Sequence, residues 1–201
     1  MARSVLALGR QFGSGGREIG QKLSAALDIP CYDRELIQMA AERAEVREEL
    51  FAGKEEKASN RWLFTGVYEG GPRVQWGAPA EDILFEMESQ VILELAQKGP
   101  CIIVGRCADY VLRTAGIPVR SLFVCAPLNW RIQRRMQLDQ VTEKETRDRV
   151  LKMDKQRRRY YDTYTNGRWG VPENYDACLN SAVFGIDATV DLLLHIFRSQ
   201  E

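Results

Sequence analysis

One glycine-rich stretch constrains the fold of this chain more than any other part of its 201 residues. Residues 9–18 read Gly-Arg-Gln-Phe-Gly-Ser-Gly-Gly-Arg-Glu, after the apolar run 5–8 and before Ile19, Leu23 and Leu27 at helical spacing. This order predicts a strand, a glycine turn and a helix. Glycines let successive amides point at an anion, and the helix N-terminus adds partial positive charge. The stretch predicts a phosphate site, with a turn that binds no ligand as the alternative.

The spacing of this stretch departs from the standard phosphate loop, G-x-x-x-x-G-K-[S/T], in either of two registers. If Gly15 closes the loop, Gly16 takes the place of the lysine and Arg17 that of the hydroxyl residue. In that register Arg10 stands at the first glycine. If Gly16 closes the loop, Arg17 stands for the lysine and Glu18 for the hydroxyl residue. The sequence alone leaves both registers open.

Charge is balanced over the whole chain but not along it. Lys and Arg number 28, as do Asp and Glu, so the net charge favours no polyanionic partner such as nucleic acid. Residues 128–161, however, carry eleven Lys or Arg against five Asp or Glu. A basic segment within a neutral chain indicates bound phosphate. A basic helix that binds nucleic acid through residues 152–161 is the weakest alternative.

The first residues and the cysteines bear on where the protein works. Residues 1–4 lead into an apolar run too short for a signal peptide, and no segment is long enough to span a membrane. We therefore expect a cytoplasmic protein with no membrane partner. Five cysteines without a Cys-x-x-Cys pair indicate reduced core thiols, and the single His195 in a helical pattern argues against a histidine metal site. No feature of the sequence indicates an oligomeric state.

Apolar runs and helical patterns alternate along the rest of the chain. A short strand is expected to end at Asp33, before a helix that begins near Leu36. Further strands are predicted at 101–104, 121–125 and 177–179, and further helices at 81–98, 108–113, from 128, from 142 and at 186–197. This alternation predicts an α/β fold with helices on both faces of a largely parallel sheet.

Polar residues follow three of the predicted strands. The glycine loop follows the first, Asp33 the second and Arg106 the third. Because the carboxyl ends of parallel strands meet at one edge of a sheet, we expect these groups to share a rim where a ligand binds. As alternatives, Asp33 caps the next helix and Arg106 forms a structural ion pair.

These stretches make the chain resemble the cytidylate kinase-like family of the P-loop nucleoside monophosphate kinases. The resemblance also rests on Tyr-Asp-Arg-Glu-Leu at 32–36, Ile-Val-Gly-Arg at 103–106, Arg-Ile-Gln-Arg-Arg-Met at 131–136 and Tyr-Asp-Ala-Cys-Leu-Asn at 175–180. It implies a single P-loop kinase domain over residues 1–201 with a five-stranded parallel sheet. An acceptor-binding helical insertion is expected at 34–98, with an aromatic loop at 59–79, and a basic lid at 128–165.

The resemblance also implies roles for individual residues, with ATP and Mg²⁺ as cofactors and small-molecule nucleotides as partners. ATP would be bound by Gly13, Ser14, Gly15, Gly16, Arg17, Glu18 and Arg134. The acceptor would be bound by Asp33, Arg34, Arg106, Asp154 and Arg158. Catalysis would fall to Arg17, Arg131 and Arg135. The alternative for the three lid arginines is a solvated helix face.

Three departures from the family pattern bear on the chemistry. The loop lysine is absent, the hydroxyl residue that holds magnesium is replaced, and Val104 and Cys107 flank the Gly-Arg pair where cytidylate kinases have acids. An arginine clamps phosphate through bidentate hydrogen bonds, so Arg17 is a substitute for the lysine. Glu18 and Asp109 are the two candidates for holding the metal.

The leading hypothesis is ATP-dependent phosphoryl transfer to a nucleoside monophosphate, with CMP and dCMP as the first candidates. This chemistry asks mainly for positioning and charge neutralisation, which loop amides and arginines supply. One alternative is a regulatory nucleotide-binding module with a degenerate phosphate loop, because the lysine and hydroxyl are missing. Another is a kinase of a small molecule that is not a nucleotide.

Overall fold

The computed structural model describes residues 5–33, Leu36, Met39 and residues 80–198. Arg34, the aromatic loop at 59–79 and most of the helix expected to begin near Leu36 lie outside the described residues.

Strands and helices alternate through the described residues, as the sequence predicts. The strands are β1 Val5–Arg10, β2 Cys31–Tyr32, β3 Ile102–Val104, β4 Val119–Cys125 and β5 Ala177–Asn180. The helices are α1 Gly16–Leu27, α2 Ala80–Lys98, α3 Ala108–Thr114, α4 Leu128–Asp139, α5 Glu143–Tyr164, α6 Ser181–Phe184 and α7 Ile186–Arg198. The predicted boundaries are correct to within two residues at most ends; β2 ends at Tyr32, one residue before Asp33.

The five strands form one sheet in the order β2-β3-β1-β4-β5, and every neighbouring pair is parallel. Strand β1 lies at the centre, where Leu6 is opposite Ile102 of β3 and Arg120 of β4. Its residues 5–8 are at most 3% exposed. An uninterrupted apolar run suits this place, because both faces of a central parallel strand are covered. The predicted α/β fold with a parallel five-stranded sheet is confirmed.

Each face of the sheet is covered by its own helices, because successive side chains of a strand point to opposite sides. On one face Val5 and Ala7 pack with the α2 stripe of Leu84, Met87, Val91 and Leu95. On the other face Leu6 and Leu8 pack with residues of α1 and α7, among them Ile19, Leu23, Val190 and Leu193. Helices therefore lie on both faces, as expected.

A third apolar cluster lies beyond the carboxyl ends of the strands and joins the sheet to α5. It consists of Cys107, Phe123, Tyr160, Tyr161, Trp169 and Tyr175. Helix α5 begins with a capping box, in which Thr142 and Glu145 bond to each other's backbone amides. This cluster fixes the C-terminal half of α5 over the end of the sheet.

The cysteines among the described residues are free thiols, as expected. Cys101 and Cys107 are buried, whereas Cys178 is exposed, so placing every cysteine in the core was wrong for Cys178. None of the described helices combines the length and the apolar character needed to cross a membrane.

Candidate functional site

The register of the glycine loop is decided by where α1 begins. Gly15 has φ +84 and is the N-cap, and Gly16 is the first helical residue. The loop therefore closes at Gly15, so Gly16 stands at the lysine position and Arg17 at the hydroxyl position. The amide of Ile19 donates to the carbonyl of Gly15 at 2.9 Å. The amides of residues 16–18, one turn earlier, have no partner within the helix, which suits an anion.

Contacts from distant segments fix the loop in this shape. The Ser14 hydroxyl donates to the carbonyl of Gln11 at 2.8 Å, and the Ser181 hydroxyl donates to the carbonyl of Ser14 at 2.6 Å. A side chain at Gly15 would be strained by its φ of +84 and would also displace Cδ1 of Ile186, which lies 2.3 Å from where the Cβ would be. The Ser14 hydroxyl thus stabilises the turn, whereas a ligand would meet the backbone of the loop.

An open cleft of about 460 Å³ lies between this loop and helices α4 and α5, which cover the segment predicted as a lid. Among the described residues, seven arginines line it against two carboxylates, Glu18 and Asp33. The arginines are Arg10, Arg17, Arg106, Arg134, Arg135, Arg149 and Arg157. The described side chains of this lining therefore include five more positive than negative groups beside a helix N-terminus, which favours a ligand with several negative charges.

Four of the predicted arginines line the cleft, each held by a neighbouring group, and Arg17, Arg134 and Arg135 come from the start of α1 and from α4. The Nε of Arg17 lies 3.3 Å from Oδ2 of Asp33, and its side chain is half exposed. The Nη2 of Arg134 lies 2.5 Å from Oε2 of Glu18. Arg135 pairs with Asp139, and its guanidinium lies 5.0 Å from the centre of the Phe12 ring.

Arg131 and Asp154 brace the loop instead of lining the cleft. The Arg131 guanidinium is buried and donates to the carbonyls of Ala126 and Phe12, each at 2.9 Å, and to Oδ2 of Asp154 at 2.6 Å. The other oxygen of Asp154 accepts from the amide of Phe12 at 2.8 Å. These contacts favour a positioning role over the direct phosphate or acceptor contacts predicted for the two residues.

Arg106 lies at the edge of the sheet where a ligand is expected and lines the cleft. It also forms a structural ion pair, which was the alternative interpretation. Its Nη1 lies 3.2 Å from Oε1 of Glu88, with 8% of the arginine side chain and none of the glutamate side chain exposed. Tyr160 donates to Oε2 of Glu88 at 2.8 Å. Gly105, Arg106 and Cys107 have φ between +54 and +79. Two such non-glycine residues together are uncommon, and this strain is typical of functional sites.

The remaining acceptor-site prediction, Arg158, does not line the cleft. Its side chain is exposed and its Cζ lies 6.0 Å from the centre of the Trp169 ring. The neighbouring Arg157 lines the cleft and donates to the carbonyl of Arg10 at 3.1 Å. Because consecutive helical residues point about 100° apart, a run of three arginines does not reveal which one faces the ligand.

A smaller cavity of about 40 Å³ lies beneath the cleft and shares Arg10, Arg106 and Arg157 with it. Tyr160, Tyr161, Trp169 and Tyr175 form much of its wall. Tyr161 donates to Oδ2 of Asp109 at 2.7 Å. Burial raises the pKa of Asp109 above its ordinary value, although this hydrogen bond opposes the shift. Burial also raises the pKa of the Tyr161 hydroxyl and that of the Cys107 thiol.

The two candidates for holding a metal have different surroundings. Glu18 lines the open cleft and is paired with Lys22 and Arg134, whereas Asp109 lies in the inner cavity against Tyr161. Among residues 5–33 and 80–198, no three His, Cys, Asp or Glu side chains are grouped so as to hold a metal ion. Magnesium in phosphate sites is held by one or two carboxylates with the substrate's phosphates. The cleft, with Glu18, fits that mode better than the inner cavity does.

Three cleft arginines, Arg10, Arg149 and Arg157, were not among the residues predicted from the sequence. Arg10 belongs to the glycine-rich stretch, but it stands at the position of the first glycine of the motif. No side chain binds phosphate from that position in the standard loop, so the motif did not indicate a role for Arg10. Arg149 and Arg157 lie eight residues apart on α5, a spacing that returns to the same face of a helix. That spacing was the available signal.

Comparison with known proteins agrees with this arrangement. The model of the cytidylate kinase-like family matches residues 5–183. A search of curated proteins found no match. Among solved structures, an uncharacterized protein from Eubacterium ventriosum ATCC 27560 is similar with a TM-score of 0.71 and 25% identity, over 96% of both chains.

Two further solved structures share the fold at lower identity. Shikimate kinase from Bacteroides thetaiotaomicron is similar with a TM-score of 0.56 and 16% identity, over 96% of this chain and 98% of the other. A gluconokinase from Sinorhizobium meliloti 1021 has a TM-score of 0.52 and 11% identity, over 97% and 94% of the two chains. At these identities the likeness concerns the fold.

Proposed function

We propose that this chain, which belongs to the cytidylate kinase-like family, transfers the γ-phosphoryl group of ATP to a nucleoside monophosphate, with CMP and dCMP as the first candidates. The observation that carries the proposal is the cleft lined by seven arginines and two carboxylates at the N-terminus of α1. Donor and acceptor together bring at least about five phosphate charges before magnesium is counted, and the cleft arginines, some of which also pair with Glu88 and Asp139, offset part of that charge.

The donor phosphates bind at the glycine loop in this proposal. The amides of residues 16–18 belong to the first turn of α1 and are available to a phosphate at the helix N-terminus. Arg17 and Arg134 line the cleft beside this turn and add positive charge. Glu18 would hold magnesium together with the phosphates, and the ion would neutralise part of the triphosphate charge. Arg131 and Asp154 keep Phe12 and hence the loop in position.

The acceptor phosphate binds near Arg106 and Asp33, on the sheet side of the cleft. An oxygen of the acceptor phosphate attacks the γ-phosphorus, the bond to the bridging oxygen breaks, and ADP leaves. Arg17 and Arg135 stabilise the charge that spreads over the three equatorial oxygens during transfer. Arg34, also proposed to bind the acceptor, lies outside the described residues.

Two other functions are carried by specific observations. The absence of a lysine at position 16 favours a nucleotide-binding module without transfer activity. The fold shared with proteins named shikimate kinase and gluconokinase favours a kinase with an acceptor that is not a nucleotide.

A mass-spectrometric transfer assay separates the three functions. The protein is incubated with magnesium ATP and a panel of ribo- and deoxynucleoside monophosphates, shikimate and gluconate, beside the Arg17→Ala variant. Arg147→Ala is the matched control, because Arg147 is an exposed lid residue paired with Glu143 on the same helix. Transfer to a nucleoside monophosphate that falls about 10- to 100-fold in Arg17→Ala and is unchanged in Arg147→Ala is expected. ATP binding without transfer to any acceptor would contradict the proposal and support the regulatory module.

A further inference from the structure

We propose that Arg10 supplies the phosphate-loop cation that a lysine supplies in the standard loop, and that Arg10 and Gly16 have exchanged the roles of the standard first glycine and lysine. The inference rests on the proposed function, because it needs the loop to bind phosphates. In the observed register Arg10 stands at the first glycine of G-x-x-x-x-G-K and Gly16 stands at the lysine. This loop therefore contains both a cationic side chain and a glycine, but each stands at the position that the other has in the standard loop.

The contact between these two positions explains the exchange. A Cβ at Gly16 would lie 2.5 Å from Cβ of Arg10 and 2.9 Å from its Cγ, closer than real Cβ atoms approach other heavy atoms. The two positions therefore have room for one side chain between them. The standard loop has that side chain at the start of the helix, and this chain has it at the end of β1. Either arrangement brings one cation to the loop.

A second glycine makes room for the other end of the Arg10 side chain. Gly105 has φ +79, and a Cβ there would lie 1.9 Å from Nη1 of Arg10 and 3.0 Å from its Cζ. The guanidinium therefore lies against the backbone that follows β3, in a place only a glycine leaves open. Gly16 and Gly105, which are far apart in the sequence, together form the space that Arg10 fills.

The position and chemistry of the guanidinium suit a phosphate. Arg10 lines the cleft with 14% of its side chain exposed, and its Nη2 donates to Oδ1 of Asp33 at 3.0 Å. Arg157 donates to the Arg10 carbonyl, and Arg17 lies on the other oxygen of Asp33. Asp33 thus holds two arginines side by side at the loop. An arginine keeps its charge at every accessible pH and offers paired donors to phosphate oxygens.

If Arg10 and Gly16 have exchanged roles, changing both positions to the standard residues should restore the ligand binding that a change at either position weakens. A purely structural ion pair of Arg10 predicts no such recovery. Binding of ATP and of inorganic tripolyphosphate is measured by calorimetry on the full chain for the parent, Arg10→Met, Gly16→Lys and the double variant R10G/G16K. Methionine keeps the apolar stem over Gly16 and removes the charge. Glycine is needed in the double variant because even an alanine at position 10 retains the Cβ that meets position 16.

Arg10→Met is expected to weaken binding of both ligands about 10- to 100-fold, and Gly16→Lys to weaken it at least as much. The double variant, which restores the standard glycine and lysine, is expected to bind within about threefold of the parent by this exchange argument, with Arg147→Ala unchanged as the control. Thermal unfolding of each variant checks that it is folded.

Each outcome bears on the exchange. If Arg10→Met binds both ligands as well as the parent does, Arg10 is not the cation, and the proposed function stands without it. If the double variant, shown to be folded, binds no better than Gly16→Lys, the two positions have not exchanged roles. If the parent binds neither ATP nor tripolyphosphate, the proposed function and this inference are both overturned.

Discussion

The open cleft and the inner cavity share Arg10, Arg106 and Arg157 but differ in what surrounds these arginines. In the cleft, positive side chains outnumber carboxylates and several are partly exposed. At the inner cavity, tyrosine hydroxyls donate to buried carboxylates: Tyr161 to Asp109 in its wall, and Tyr160 to Glu88, which also pairs with Arg106. The difference indicates that a ligand can reach the charged groups of the cleft, whereas the charged groups below are enclosed together with their protein partners. Substitutions in the two regions should therefore change different measurements.

The largest expected effect is on stability, from the inner region. Glu88→Ala leaves the buried Arg106 guanidinium without this carboxylate and should lower the free energy of unfolding by about 3–5 kcal/mol. That corresponds to a fall in Tm of roughly 6–20 °C, measured by thermal unfolding. Glu86→Ala is the control, because Glu86 is exposed on the same helix. Equal Tm values for the two variants would show that the inner charges do not depend on each other.

The next effect is on binding, from the cleft. If Arg134 binds a donor phosphate, as proposed, Arg134→Ala should weaken ATP binding roughly 10- to 100-fold, because a charged hydrogen bond is lost. The free energy of unfolding should change by less than about 1 kcal/mol, since the pair with Glu18 is partly exposed. Calorimetric titration and thermal unfolding measure the two quantities on the same sample. A large loss of stability with unchanged binding would reverse the contrast between the regions.

A pH dependence follows from Asp109 in the inner cavity. Because burial raises the pKa of Asp109, the folded state takes up a proton at higher pH than the unfolded state, and stability falls as pH rises through that window. Tyr161→Phe removes the hydroxyl that opposes the shift, so the variant should be about 1–3 kcal/mol less stable near neutral pH. The difference in stability between the parent and Tyr161→Phe should narrow as pH falls. The reason is that Asp109 takes up its proton at a higher pH in the variant than in the parent.

Unfolding at a series of pH values measures this gap, with Asp109→Asn and the double variant D109N/Y161F as references. The pH-dependent part of the gap should vanish when position 109 cannot titrate. A gap that is the same at every pH would mean that Asp109 is not the group responsible.

The smallest expected effect is a change in ATP binding when the Phe12 ring of the cleft is replaced. The guanidinium groups of Arg135, Arg149 and Arg157 lie 5.0–5.6 Å from the centre of the Phe12 ring. Phe12→Leu removes attractions worth about 0.5–1 kcal/mol, so ATP binding should weaken roughly two- to fivefold. Titration under the conditions used for Arg134→Ala measures the change. Unchanged binding would indicate that the ring only fills space beneath the arginines.

How much the sequence predicts depends on whether a feature is local. The apolar run before the glycines and the stripe of α2 specify their elements directly, so the sheet and its covering helices are predicted well. The direction of each lid arginine is not local. Arg131 belongs to the same short motif as Arg134 and Arg135, yet it is buried against Phe12 and Asp154. A motif gives residue types and spacing, whereas tertiary contacts decide which side chain reaches a ligand.

Arg10 shows this limit most clearly. Arg10 stands at the position of the first glycine of the motif, so the sequence alone suggests that the phosphate loop is degenerate there. Its role depends on the space at Gly16 and on the backbone at Gly105, which follows a strand far along the chain. The register was undecided for a related reason. Without a lysine, only the left-handed conformation of Gly15 and the start of α1 distinguish the two possibilities.

The central place of β1 has a consequence for how the protein is made. This strand is synthesised first among the described strands, but its neighbours β3 and β4 pair with it through residues 102–104 and 119–124. During translation its apolar residues must remain without their partners until about a hundred further residues have left the ribosome. Long-range parallel pairing of this kind is slow and exposes apolar chain to aggregation. Among the described strands, β1 therefore waits longest for its partners, and its segment 5–8 is the apolar strand that a chaperone would shield for the longest time.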